Sequence, residues 1–168
     1  MEELRIRRIN RGNWHKWSRV VMRTMRAVLP IETCLSAAQI RNVFADGRYV
    51  ALVATRSESF AGFALGFFHT FAQEPEIAAI GDDDIFHLCL AIVSPEFQGG
   101  GIGLTSLQTL IAEAKRRGAR TGTAFARTGA SLHNVHKVGG QTIGVRKNFA
   151  GCGETFHIMR LDMTTNAH

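Results

Sequence analysis

The stretch "AIVSPEFQGGGIGLTSLQTLIAEAKRRGAR" (residues 91–120) passes from apolar residues through Ser-Pro into four glycines within five positions, then into an amphipathic repeat. Leu104, Leu107, Ile111 and Ala114 recur at spacings of three and four, which predicts a helix to about Arg117. The preceding "IFHLCLAIV" (85–93) reads as a buried strand. Such a loop suits an anion, because backbone N–H groups and the positive helix end face it and glycine permits close approach or positive φ. Helix-end charge effects are only about 0.3–1 kcal/mol each, so several converging N–H groups must carry the binding. A flexible turn without a ligand uses glycine equally well.

Two other phosphate-binding patterns fail on spacing. A dinucleotide G-x-G-x-x-G started at Gly99 puts Leu104 at the third glycine, and started at Gly101 it puts Ser106 there. No Gly-Lys-Ser/Thr follows, so a nucleoside-triphosphate loop is excluded too.

Outward from the loop, "LRIRRI" (4–9) alternates as a first strand, and residues 13–29 repeat as a helix that Pro30 stops. "LSAAQIRNVFA" (35–45) is a second helix with Ser36 as N-cap. "RYVALVATR" and "SFAGFALGFFHTF" form a hairpin, and "AQEPEIAAIGDDD" a polar connection. After the glycine-led helix come a fifth strand, "ARTGTAFA", a short helix, "ASLHNVHKV", and two closing strands, "QTIGVRKNF" and "ETFHIMRLDM". This order predicts an α/β fold, with strands four and five parallel across a helical crossover.

A chain of 168 residues suits a single domain, 1–168. Twenty Lys and Arg against fourteen Asp and Glu favour an anionic cofactor or partner. A nucleic-acid module finds no aromatic interleaving or helix-turn-helix pattern to support it. Cys34, Cys89 and Cys152 lack the spacing of a disulfide framework or a zinc site, so a reducing cytoplasm and no metal are expected. No apolar run has the length of a signal peptide or a membrane span.

"VSPEFQGGGIG" (93–103) resembles the acyl-CoA signature of the GNAT N-acetyltransferase superfamily, Gln/Arg-x-x-Gly-x-Gly/Ala after a strand ending Val-x-Pro. Gln98, Gly101 and Gly103 fill the defining positions; Val93 and Pro95 fill the lead-in. The resemblance implies a mixed, mostly antiparallel central sheet of about seven strands, a parallel unit of fourth strand, third helix and fifth strand, and about four helices. It implies acetyl-CoA or another acyl-CoA as co-substrate. The pyrophosphate would sit on amides of Gln98, Gly99, Gly100, Gly101, Ile102, Gly103 and Leu104, and the pantetheine arm beside Ile92 and Val93, where strands four and five splay. Lys115, Arg116, Arg117 and Arg120 form either a long-range attraction for the cofactor or a solvated helix end.

Acyl transfer to an amine needs the amine neutral, a donor for the thioester oxyanion, and a proton for the leaving thiolate. The resemblance implies a strand-edge N–H near Val93 as that donor. His87 is the candidate base: strand alternation puts 87, 89, 91 and 93 on one face unless a bulge intervenes. A buried, satisfied histidine is the competing reading, and Glu74, Glu76, Asp83 and Asp84 are alternatives. The family's acid is often a Tyr in the helix after strand five. Aligning Lys137 and Gly139 with that motif puts Val135 at the Tyr position, and Tyr49 is the only tyrosine in the chain. The proton is left to His136 or His133, to Cys89 or water, or to a thiolate that departs unaided. Asn134 could turn its amide toward the cofactor. The spacing of His133 and His136 places no third metal ligand.

The resemblance places the acceptor over Trp14, Trp17, Phe67, Phe68, Phe71 and Phe149, and the acidic residues nearby suggest an apolar amine with its cationic end near acid. The reading is therefore an N-acyltransferase for a small-molecule or peptide amine, without nucleic acid or membrane partners and compatible with a homodimer. The alternative is a catalytically weak acyl-CoA-binding or sensing protein of the same fold.

Overall fold

A computed structural model describes residues 3–82 and 84–164. Seven strands form one sheet: β1 (Leu4–Ile9), β2 (Tyr49–Arg56), β3 (Ser59–Phe68), β4 (Ile85–Val93), β5 (Thr121–Arg127), β6 (Gln141–Arg146) and β7 (Phe156–Asp162), in the order β1-β2-β3-β4-β5-β7-β6. Only β4 and β5 run parallel; the other neighbours are antiparallel. The mixed α/β sheet is the one expected.

Five α-helices lie among the described residues: α1 (Ser18–Val28), α2 (Ala37–Asp46), α3 (Pro75–Ala78), α4 (Ile102–Arg116) and α5 (Ala130–Lys137). The addition to the expected four is α3, one turn inside the polar connection, too short to show a period. The glycine-led crossover helix is consequently the fourth in chain order. The helix expected from Asn13 begins instead as a 3-10 turn, Trp14–Lys16, before α1.

On one face α1 and α2 bury Val21, Met25, Ile40 and Phe44 against Ala51, Val53, Phe63 and Leu65. On the other, α4 and α5 bury Leu107, Leu110, Ala114 and Val135 against Val50, Leu52, Phe86 and Leu88. The middle strands are covered on both sides, which is why β2 and β4 read as nearly continuous apolar runs. Helix α2 starts on a capping box: the Gln39 N–H donates to Ser36 Oγ, and the Ser36 N–H to Gln39 Oε1. Helix α1 has no side-chain cap and no acid in its first turn. A missing cap costs about 1 kcal/mol, whereas each fully buried apolar side chain contributes about 1.5–3 kcal/mol; Val21 and Met25, both fully buried, therefore decide that helix.

Strand β4 carries a bulge. Leu65 pairs with Leu90 but the next residue, Gly66, pairs with Leu88, leaving Cys89 as the extra residue. The face flips there: Phe86 and Leu88 pack toward α4, Leu90 and Ile92 toward α1 and α2.

Candidate active site

Between β4 and β5 the ladder covers only Ile85–Leu88 against Thr121–Ala124. From Cys89 to Val93 the β5 side of β4 has no strand partner, so its backbone polar groups are free to pair with an extended chain laid in the gap. Ala91, exposed and small, leaves room there.

At the end of β4 the chain makes a 3-10 turn, Pro95–Phe97, and Gln98 Nε2 donates to the Val93 carbonyl at 3.4 Å. Gly99 and Gly101 have φ of 81° and 75°, left-handed values that favour glycine. Gly101 caps α4 with no side-chain hydrogen bond. Among the described residues, the N–H groups of residues 99–104 meet no protein acceptor; the next, from Thr105, returns to Gly101 O. A Cβ placed on Gly103 would lie 3.4 Å from both Asn134 Nδ2 and Val93 Cγ2. Val93 and Gly103 of the glycine-loop signature and Asn134 of the later helix, two motifs about thirty residues apart, thus converge at one point.

Arg56, at the end of β2, was not among the expected residues. Its guanidinium nitrogens lie 3.5 and 3.7 Å from a Cβ placed on Gly100, and its Nε is buried without a hydrogen-bond partner. It forms no ion pair among the described residues. An unneutralised cation beside six free N–H groups and an open strand edge fits a ligand with phosphates at one end and an extended amide arm at the other, as coenzyme A has.

A family model described as the acetyltransferase (GNAT) family matches residues 14–139. The chain belongs to the GNAT acetyltransferase family. Solved structures of similar fold include the ribosomal-protein-S18-alanine N-acetyltransferase of Escherichia coli, 18% identical over 99% of this chain and 97% of that one, with a TM-score of 0.72. The mosquito arylalkylamine N-acetyltransferase like 5b is 12% identical over 94% and 99%, at 0.77. The yncA protein of Salmonella typhimurium, solved with its cofactor acetyl-CoA, is 18% identical over 98% and 96%, at 0.70. No curated protein sequence matches.

The expected proton carriers are placed differently from the GNAT loop residues. The Cys89 bulge turns His87 to the face of Leu90 and Ile92, away from Ala91 and Val93, so the uninterrupted alternation expected for 87–93 does not hold. The ring is buried, with Nδ1 3.0 Å from Thr123 Oγ1 and with Phe67, Phe71 and Phe125 around it at centroid distances of 5.9, 4.4 and 4.8 Å. Burial, with a smaller push from His69, lowers its pKa to about 3. Burial also pushes the Cys89 thiol up to about 12. His136 is 3.0 Å from the Gly140 carbonyl, at the far end of α5 from the splayed strands. Val135, at the tyrosine position, is buried in the α4-side core. The structure therefore does not bring His87 and His136 together.

The acids beside the cleft are already paired. Arg146 donates to Glu74 Oε2 at 3.0 Å and to Glu76 Oε2 at 2.6 Å, holding the Glu76 carboxyl below its usual range. Asp84 pairs with Arg48 at 3.1 Å, and Asp83 lies outside the described residues. Of the expected acceptor aromatics, Phe67, Phe71 and Phe149 line one aromatic floor with Phe125, whereas Trp14 packs into the core against Phe44 and Phe63. Over this floor Arg127 donates to the Val28 carbonyl at the end of α1 and pairs with Glu154, each at 3.2 Å. The described residues contain no metal-binding cluster and no helix long and apolar enough to cross a membrane.

Proposed function

We propose that the protein is an acyl-CoA-dependent N-acyltransferase that moves an acetyl or other short acyl group to a primary amine. The observation that carries the reading is the row of free N–H groups at 99–104, set beside an unpaired strand edge and the unpaired Arg56. The amides and Arg56 hold phosphate oxygens, Asn134 and Val93 border the arm, and the strand edge past the bulge offers an N–H to the thioester oxygen as charge develops. Three free cysteines fit a reducing compartment such as the cytoplasm.

A base must bind the proton it removes, and His87, enclosed by Phe67, Phe71 and Phe125 with its pKa lowered by burial to about 3, is poorly suited to that role. The acceptor therefore enters with its neutral fraction and loses its proton to water. A thiolate of ordinary pKa, about 8.5, departs without an acid at a reduced rate. The buried Val135 in place of a hydroxyl also supports the second reading, a weakly catalytic acyl-CoA-binding protein. Calorimetry with acetyl-CoA tests both readings, and micromolar binding is expected. Thiol release in the presence of an amine panel separates them: release supports the transferase, and tight binding without release supports the sensor.

A further inference from the structure

Residues 4–31 contain eight Arg and Lys and no Asp or Glu, so the rest of the chain is slightly acidic and the whole positive excess sits in this segment. Its centre is α1. Because Val21, Thr24 and Met25 face the core, Arg19, Arg23 and Arg26 stand on the outer face at spacings of four and three, with Lys16 three residues earlier; all four are exposed. Among the described residues none of the four side chains makes an ion pair or hydrogen bond, whereas Arg5, Arg8, Arg48, Arg127 and Arg146 are each paired.

Folding does not call for Arg19 and Arg23: like charges four apart on a helix repel, and a cation in the first turn opposes the helix dipole, so only Arg26, in the last turn, suits the dipole. A merely solvated face would be served as well by mixed charge. The stripe also has a telling position. Trp17, just before α1, packs on Phe60 of β3, near the end of β4, and Val28 at the other end receives the hydrogen bond from Arg127 of β5. Helix α1 thus crosses over the splay on the side of the aromatic floor. Beyond it, Ile31 is 65% exposed in a connection that touches the turn at Phe149–Gly151.

Resting on the acyltransferase reading, we propose that the acceptor is an acidic peptide segment, whose amine enters the splay while carboxylates on its following residues lie along Lys16, Arg19, Arg23 and Arg26. Arg19 and Arg26 are about 10 Å apart along the axis, and alternate carboxylates of an extended chain recur at about 7 Å, so one chain spans the stripe. A nucleic acid fits less well: the cations form one row, and the aromatic beside it, Trp17, is already packed on Phe60. The apolar side of α1 is already in the core, which leaves none for a membrane surface.

The test uses seven-residue peptides with a free N-terminal alanine, followed by four Asp, four Ser or four Lys and labelled at the C-terminus. Binding is followed by fluorescence anisotropy with saturating CoA, so that turnover is not required. At low salt the Asp peptide should bind the wild type at least tenfold more tightly than the Ser peptide, with an advantage that shrinks as salt rises. Arg19→Glu/Arg23→Glu/Arg26→Glu should reverse the order in favour of the Lys peptide, and the corresponding triple Ala variant should erase it. Acetyl-CoA affinity should be unchanged in both. Equal affinity for the three peptides, or an Asp preference that survives both variants, would overturn the proposal. So would a labelled RNA oligonucleotide that binds through the stripe while the peptides do not discriminate. Failure of wild-type acetyl-CoA binding would sink the acyltransferase reading instead, and the two failures are distinct measurements.

Discussion

Arg56 carries its charge against Gly100 with a buried, unpaired Nε, an arrangement that is costly unless an anion completes it. A hydrogen bond to a charged group is worth about 1.5–3 kcal/mol, or roughly a 10- to 100-fold change in affinity. Arg56→Gln should weaken acetyl-CoA binding by about that factor and leave the affinity for acetyl-pantetheine, which lacks the diphosphate, almost unchanged. Calorimetry with both donors checks this, and an equal loss for both would show that Arg56 only shapes the loop. The glycines of the loop were legible because their density and spacing are local. Arg56 was not, because it reaches Gly100 only through the folding of a distant hairpin whose turn gives no sign of it.

At the scale of the element, the start of α4 separates binding from folding. Gly101 has φ of 75° and nothing within 4 Å of where a Cβ would stand. A side chain there pays about 1–2 kcal/mol for the left-handed backbone but meets no steric block. Gly101→Glu should therefore remain folded, with a melting temperature lower by about 2–8 °C, while its carboxylate, set among the free N–H groups of residues 99–104, abolishes acetyl-CoA binding. Scanning fluorimetry and calorimetry on the same sample make the comparison, and retained affinity would remove the loop from the site. The limits of β1 and β4 were readable to the residue, β1 because its apolar and basic residues largely alternate and β4 because a continuous apolar run ends at Ser-Pro. The bulge at Cys89 was not. One extra residue leaves no compositional mark, yet it reverses the face of everything after it and so separates His87 from Ala91 and Val93.

For the molecule as a whole, the order of elements predicted the sheet, while the meeting of the α1–α2 and β6–β7 connections over the aromatic floor depends on contacts between segments far apart in sequence. Global stability reports on that floor through His87, whose folded-state pKa is near 3 against an ordinary 6.5. Between those values the unfolded chain binds a proton that the folded chain excludes, so stability increases with pH across the window. The full contribution is present above about pH 6.5 and is eroded as pH falls toward 3. At pH 5, about 1.5 pH units into the window, the loss is on the order of 2 kcal/mol, or about 4–8 °C in melting temperature for a chain of this size. The carboxylates held low, Glu76 and Asp162 among them, act in a more acidic window, losing their contribution only as pH falls below their ordinary range near 4. Scanning calorimetry from pH 7 to 5 should therefore show a decline in the wild type and a clearly shallower one in His87→Gln, which keeps a hydrogen-bonding group for Thr123 but does not titrate. Parallel declines in the two proteins would mean that the buried imidazole is not the source of the acid sensitivity.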